Sequence, residues 1–282
     1  MKGMVYFMEQ AKLNQLKKTA AQIRLDILEQ VHAASSGHPG GSLSITEIIT
    51  YLYFEEMNVN PADPKWEDRD RLVLSKGHTA PALYAALAEK GYFSRDVLKT
   101  LRQTDSFLQG HPDMKGTPGV DMSTGSLGLG FSSACGMALA AKLDGRTWRT
   151  YAIIGDGESE EGQIWEAAMF AAHYKLDNLC AIFDWNGLQI DGPVAEVMNP
   201  TPHDTKLEAF GFHVITIDGH DFEQIAAAFA EAKTVKGKPV AIIAKTAKGK
   251  GVSFMENQVG WHGTAPNDEQ YETAVAEIKA TM

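Results

Sequence analysis

Between Gln15 and Ala34 the apolar positions Leu16, Ala20, Ile23, Ile27 and Val31 recur three or four residues apart, the spacing of one helix face. Ser44 with Glu47 offers a capping box ahead of a second helix, EIITYLYFEEM. A Pro-rich connector, NVNPADPKWEDRD, leads to a short strand, RLVLS, and a helix from about Thr79 to Glu89; another helix is expected to begin at Ser94. From Gln109 to Gly130 the chain is Gly- and Pro-rich, QGHPDMKGTPGVDMSTGSLGLG. Loops this long inside a compact domain are usually functional or disordered.

After that loop the pattern becomes regular. A helix (Phe131 to Leu143) precedes strand WRTYAII, helix EGQIWEAAMFAAHYK and strand LCAIFDW. A helix near Lys206, strand HVITI, a helix capped by Asp221 and strand VAIIA follow. Strands alternating with helices predict an α/β fold, a parallel sheet covered by helices on both faces. The helix from Gly162 to Lys175 is apolar nearly all round and Ala-rich, so it is expected to be buried and closely packed. From Pro266 onward, residues 266–282 read as a capped amphipathic helix or a tail. No repeat or low-complexity segment is visible.

Composition narrows the classes. The chain has 282 residues, 44% apolar and 22% charged, enough for one large domain or two small ones with a substantial core. Its net charge of −10 argues against nucleic acid as a partner, since counterion release needs a basic face. The one basic run, KTAKGKG, reads first as a solvated loop. Cys135 and Cys180 lie far apart in apolar segments, which disfavours a disulfide framework or a cysteine zinc site and points to a reducing, cytoplasmic compartment. The start, MKGMVYFMEQAKL, lacks a sustained apolar core and a small-residue cleavage site, and no apolar run approaches a membrane span.

The candidate chemistry sits in the loops. In IIGDGESEEG, Asp156 lies between two glycines at the end of a predicted strand, where phosphate-binding turns are found, yet the turn carries four acids and no Lys or Arg. The 28 residues 158–185 then lead to Asn186, again at a strand end. In a parallel sheet, adjacent strand ends bring Asp156 and Asn186 to one edge. A carboxylate, a carboxamide oxygen and a backbone carbonyl are hard donors suited to magnesium or calcium, and such an ion can coordinate a diphosphate. A bare Gly-Asp-Gly is more often an ordinary acidic turn; the second strand end with its Asn makes the pattern far more specific. His38, His78, His111 and His262 each stand beside a glycine in a predicted loop or element end. Neutral imidazoles there can bind sugar hydroxyls and move protons near neutral pH, although singly each is more often a loop hydrogen-bonder. No pair has the short spacing of a zinc site. The other histidines, including His32, His173 and His213, lie within elements and read as structural.

These residues resemble the transketolase family. GDG with the later Asn is similar to the thiamine diphosphate signature. SSGHPGG at 35–41, LSKGHTAPALYAAL at 74–87, GHPD at 110–113, STGSLGLG at 123–130 and GWHG at 260–263 follow the order and spacing of transketolase motifs over about residues 15–264. The resemblance implies a single domain over residues 1–282 with the pyrophosphate-binding fold. It implies Asp156, Asn186 and the Leu188 carbonyl as ligands of Mg2+ or Ca2+, and Gly157 as a diphosphate contact. It places Gly125 and Leu127 against the cofactor rings, and His78 and His262 on the diphosphate and substrate funnel. His38 and His111 fall near the reacting carbons and hydroxyls of the donor sugar. Glu161 and Glu166 are implied at the subunit interface that links paired sites; Glu158 and Glu160, read from their position ahead of the helix alone, are expected as charges at a helix N-terminus.

A complete transketolase is more than twice as long. The pyrimidine-binding and C-terminal domains have no counterpart here, and with them go the glutamate that activates the cofactor and the arginines that grip the sugar phosphate. The resemblance therefore implies the N-terminal subunit of a split transketolase, active only with a separate C-terminal subunit, with two copies of each expected. The expected reaction moves a two-carbon ketol unit from a ketose phosphate of xylulose 5-phosphate type to an aldose phosphate of ribose 5-phosphate type. A thiamine diphosphate enzyme with another donor or acceptor, and a non-catalytic cofactor-binding module, remain as alternatives.

Overall fold

The computed structural model describes residues 8–282; most of the opening stretch MKGMVYFMEQAKL, considered above for a leader, lies outside them. Helices α1 (Gln10–Ala34), α2 (Pro39–Ser44) and α3 (Thr46–Tyr51) precede strand β1 (Arg71–Leu74) and helix α4 (Ala80–Lys90). Helix α5 (Leu129–Leu143), strand β2 (Thr150–Gly155), helix α6 (Gly162–His173) and strand β3 (Leu179–Trp185) come next. A small antiparallel hairpin, β4 (Leu188–Gln189) with β5 (Gly192–Pro193), leads through α7 (Val194–Val197) to α8 (His203–Phe210). Strand β6 (His213–Asp218), helix α9 (Phe222–Thr234), strand β7 (Val240–Lys245) and helix α10 (Asp268–Lys279) complete the order. No helix among the described residues is long and apolar enough to cross a membrane.

Five strands form one all-parallel sheet in the order β1-β2-β3-β7-β6. The period of two within the strands divides the core into two layers. Tyr151, Ile153, Cys180, Ile182, Val240 and Ile242 pack towards α1, α4, α9 and α10, while Ala152, Ile154, Ala181, Phe183, Ala241 and Ile243 pack towards α5, α6 and α8. Helices on both faces of a parallel sheet are what the alternating pattern predicts. Asp221 caps α9 through the backbone N–H groups of Glu223 and Gln224, and Asn267 with Gln270 forms a capping box on α10.

Three local expectations are corrected. The Ser44–Glu47 capping box does not form: α3 has no side-chain cap, the Ser44 hydroxyl donates to Asp184 Oδ2, and Glu47 faces inward. The helix expected from Ser94 is a short 3-10 stretch, Arg95–Thr100. Helix α6 is not buried all round. Ile164, Ala167, Ala168 and Ala171 pack inward, whereas Met169 is 53% and Phe170 is 37% exposed. The small residues lie against the sheet layer and the large ones point out, in the same stripe as the exposed Glu166.

Glu47 shows why tertiary structure overrode the cap. Its carboxylate receives both bonds of Arg24 Nη2, at 2.6 and 2.8 Å, and one from His220 Nδ1 at 2.9 Å. His220 Nε2 accepts from the Ala247 N–H, which fixes the proton on Nδ1. The knot ties α1 and α3 to the segment after β7. Burial raises the Glu47 pKa, but Arg24 and His220 outweigh it and bring the group from 4.5 to about 2. Arg24→Met leaves this carboxylate short of its main partner and is expected to lower unfolding free energy by about 3–5 kcal/mol near neutral pH. Because the folded-state pKa is depressed, the contribution is fully present above about pH 4.5 and is lost as pH falls towards 2. In chemical denaturation, the gap between wild type and variant is therefore expected to shrink across that window.

Candidate active site at the carboxyl ends of the strands

In open α/β sheets, ligands bind beyond the carboxyl ends of the strands. Here the register pairs Gly155 with Asp184 and Asp184 with Ala244, so β2, β3 and β7 end level. A cavity of about 450 Å³ opens at that edge, lined among others by His38, His78, Gly125, Leu127, Asp156, Gly157, Glu161, Asn186, Leu188 and His262. Every candidate ligand and most candidate site residues thus meet in one place. His111 and Glu166 are not among the lining residues. His111 lies beside Gly125, where an added Cβ would stand 3.2 Å from the imidazole Cδ2.

The oxygen donors come from two turns. Asp156 opens a 3-10 turn, Gly157–Glu160; its Oδ1 accepts from Gly157 N at 2.8 Å and its Oδ2 from Gly187 N at 2.5 Å. Asn186 Oδ1 accepts from Leu188 N, and the Leu188 carbonyl accepts from Lys248 Nζ at 2.9 Å. Burial and the nearby Asp184 carboxylate push the Asp156 acid up to about 6. Lys248 is 2% exposed, and burial brings its ammonium down to about 8.

Under this edge Asp184 is wholly buried and fully engaged. Oδ2 receives Lys76 Nζ at 2.5 Å, Ser44 Oγ at 2.6 Å and Asn186 Nδ2 at 2.8 Å, and Oδ1 receives Thr246 Oγ1 at 2.5 Å. Burial raises its pKa, yet Lys76 and the hydroxyl donors hold it below the ordinary carboxylate range.

Across the cavity three imidazoles form a cluster. Ring centroids are 5.1 Å apart for His38 and His78, 5.5 Å for His38 and His262, and 5.2 Å for His78 and His262. Burial first, and neighbouring cations second, bring His38 down to about 4 and His262 to about 3, and hold His78 well below the usual range. All three are neutral near pH 7. Lys248 donates to His262 Nδ1 at 2.9 Å, since an ammonium has no acceptor, and this leaves the ring proton on Nε2. His38 Nδ1 is buried without a hydrogen-bond partner.

The sequence over residues 15–279 matches a family profile described as the transketolase thiamine diphosphate binding domain. The chain belongs to the transketolase family. It is 50% identical over 264 residues to the 6-deoxy-6-sulfo-D-fructose transketolase subunit SqwG of Clostridium sp. (strain MSTE9), covering 94% of this chain and 96% of that one. It is 46% identical over 255 residues to one of the subunits named for apulose-4-phosphate transketolase in Phocaeicola vulgatus, covering 90% of each. The fold matches the structure of transketolase from Leishmania mexicana with a TM-score of 0.88 and 37% identity, over 94% of this chain but 41% of that one. The chain thus spans nearly all of two relatives named as subunits and about two fifths of a full-length transketolase.

The residues fit a cation. The donor set is one carboxylate, one carboxamide oxygen and one main-chain carbonyl, hard oxygens suited to Mg2+ or Ca2+. Among the described residues, no three His, Cys, Asp or Glu side chains gather as a metal cage. Lys248 already sets a positive charge against the Leu188 carbonyl, which marks that oxygen as a cation-attracting point. Lys76, Lys248 and Asp184 are site residues that sequence reasoning misses; the only signal for the lysines is their place inside the SKGH and KTAKGKG stretches at strand ends.

Glu158 stands in the first turn of the 3-10 stretch Gly157–Glu160, where a charge at a helix N-terminus is expected, but it is buried, only 3% exposed. Its Oε1 receives Ser75 Oγ at 2.5 Å and Gly128 N at 2.9 Å, and its Oε2 receives Gly155 N at 2.9 Å. One carboxylate therefore joins the ends of β1 and β2 to the long loop, where Gly128 takes φ +85°, a conformation few other residues adopt. Glu158→Gln turns one acceptor oxygen into an NH2 facing these donors, at an expected cost of about 1–3 kcal/mol for each donor left unsatisfied. A lower melting temperature and faster amide exchange across residues 124–130 are the expected readouts.

Proposed function

We propose that this chain is the cofactor-holding subunit of a two-chain transketolase, with Mg2+ or Ca2+ and thiamine diphosphate as its cofactors. The observation that carries the reading is the meeting of Asp156, Asn186 and the Leu188 carbonyl with three neutral histidines in one cavity at the strand ends. Asp156 Oδ, Asn186 Oδ1 and Leu188 O hold the divalent ion; Gly157 and Lys248 stand where diphosphate oxygens meet the chain; Gly125 and Leu127 receive the rings. When bound, thiamine diphosphate supplies the carbanion chemistry that carries a two-carbon ketol unit from a ketose to an aldose. His38, His78 and His262 orient sugar hydroxyls, and their neutral rings can accept or return a proton near pH 7. His111, at the rim, takes the same role nearer the donor hydroxyls.

A separate chain completes the site. Two relatives covered almost end to end are named subunits, and helices α5 and α6 expose Leu129, Leu143, Met169 and Phe170 together with the Glu166 stripe, an apolar surface suited to assembly. Glu161 and Glu166 belong to this contact, in an assembly of two copies of each chain. The donor is a ketose with a terminal anion, of xylulose 5-phosphate type, and the acceptor an aldose phosphate of ribose 5-phosphate type. The relatives' names favour a second reading, with 6-deoxy-6-sulfo-D-fructose or apulose 4-phosphate in the donor's place.

The test mixes this chain with the product of the neighbouring reading frame and assays each donor with ribose 5-phosphate, Mg2+ and thiamine diphosphate. Turnover is expected only from the mixture, and Asp156→Ala is expected to abolish it together with metal-dependent cofactor binding. Activity from this chain alone would sink the split site, and a mixture inert towards every ketose donor would sink the reaction.

A further inference from the structure

His203 belongs to none of the Gly-flanked motifs, and it does not line the cavity. It is 1% exposed at the start of α8, and its ring stands edge-on to Trp185, with centroids 4.2 Å apart at 82°. Phe183 at 5.8 Å and Trp165 at 6.3 Å complete an aromatic enclosure. Its one polar partner among the described residues is Ser159: Nε2 lies 2.5 Å from Ser159 Oγ.

Ser159 is in turn bound to the main chain of Asp156. Its Oγ lies 2.5 Å from the Asp156 carbonyl oxygen, which also accepts from Ser159 N at 3.0 Å. A carbonyl only accepts, so the single hydroxyl proton goes to Asp156, and the imidazole must donate its Nε2–H to the hydroxyl oxygen. That tautomer leaves Nδ1 as a bare acceptor, and Nδ1 is indeed buried without a partner. Burial brings His203 down to about 4, in keeping with a neutral donor ring. Trp165 Nε1 holds the other side of the same residue, donating to the Ser159 carbonyl at 3.0 Å. The turn after Asp156 is a single 3-10 turn, too short to be stiff alone.

We infer that His203 is a positioning residue for the metal-binding carboxylate: through Ser159 it fixes the Asp156 main chain, and so the direction in which the Asp156 side chain offers its oxygens to the divalent ion. The inference rests on the proposed role of Asp156 as a ligand. Groups that orient a metal ligand through a hydrogen bond typically change metal affinity about 10–100-fold when removed.

The experiment uses the full chain in complex with its partner, at saturating thiamine diphosphate, and follows Mn2+ binding by the electron paramagnetic resonance of the free ion. Ser159→Ala and His203→Leu are each expected to weaken Mn2+ binding by about 10–100-fold. The double variant is expected to be no weaker than the worse single one, because both remove the same link. His203→Gln, whose amide N–H can replace Nε2–H, is expected to recover most of the affinity, and kcat at saturating Mn2+ is expected to be retained in all three single variants. Unchanged Mn2+ affinity in Ser159→Ala, or losses that simply add in the double variant, would overturn the inference, as would a lower melting temperature with no change in affinity. Should His203→Leu fail to fold, Ser159→Ala decides alone, since it removes one buried oxygen. A wild-type complex that binds no Mn2+ would instead overturn the metal site, and this inference with it.

Discussion

The site depends on one buried carboxylate being satisfied. Asp184 sits at the end of a central strand with no access to solvent, and an unpaired charge there would cost several kcal/mol. Lys76, from the end of β1, supplies the opposite charge; Ser44 from α2, Thr246 after β7 and Asn186 after β3 supply the remaining donors. Four separate segments are thereby held to one point, and each carries a group into the cavity or borders one that does. A buried pair of this kind adds little net stability over apolar packing, but it is costly to break, so it specifies the arrangement of the strand ends. The candidate ligands Asp156 and Asn186 stand directly above it.

Electrostatics follow from that base. Two lysines and three neutral imidazoles face a cluster of acids whose negative charge is only partly answered within the chain. Lys248, drawn to the Leu188 carbonyl and to His262, serves as an internal cation at the place where a divalent ion is proposed. Neutral histidines suit a site that handles hydroxyls and protons, since they can both accept and donate without a standing charge.

Much of this is legible in the sequence, and the gaps have a common physical cause. Alternating strands and helices announce the parallel sheet, because periodicity is a local signal. Gly-Asp-Gly with a second strand-end Asn announces the paired turns, since adjacent parallel strands end at one edge. The Gly-flanked histidines converge as the motif order suggests, except that His111 stands at the rim. What stays hidden is non-local. Asp184 looks like an ordinary strand residue, Glu158 like a charge at a helix N-terminus, and His203 like a structural histidine within an element, because each acquires its further contacts from segments distant in sequence. Ser44 and Glu47 have the spacing of a capping box, yet a carboxylate and an arginine elsewhere bind them more strongly. The apolar circumference of α6 suggests burial, whereas half of it is surface.

The strand order has a consequence for synthesis. Strand β7 is the last strand of the chain, yet it stands inside the sheet, between β3 and β6. Strand β6 reaches the rest of the sheet only through β7. A nascent chain that has not yet released residues 240–245 therefore leaves the apolar β3 with an open hydrogen-bonding edge, the kind of edge that invites pairing between molecules. Asp184 shares the delay: its contacts with Ser44, Lys76 and Thr246 span 140, 108 and 62 residues, and the last arrives only after β7. The centre of the sheet closes last, and the floor of the cavity closes with it.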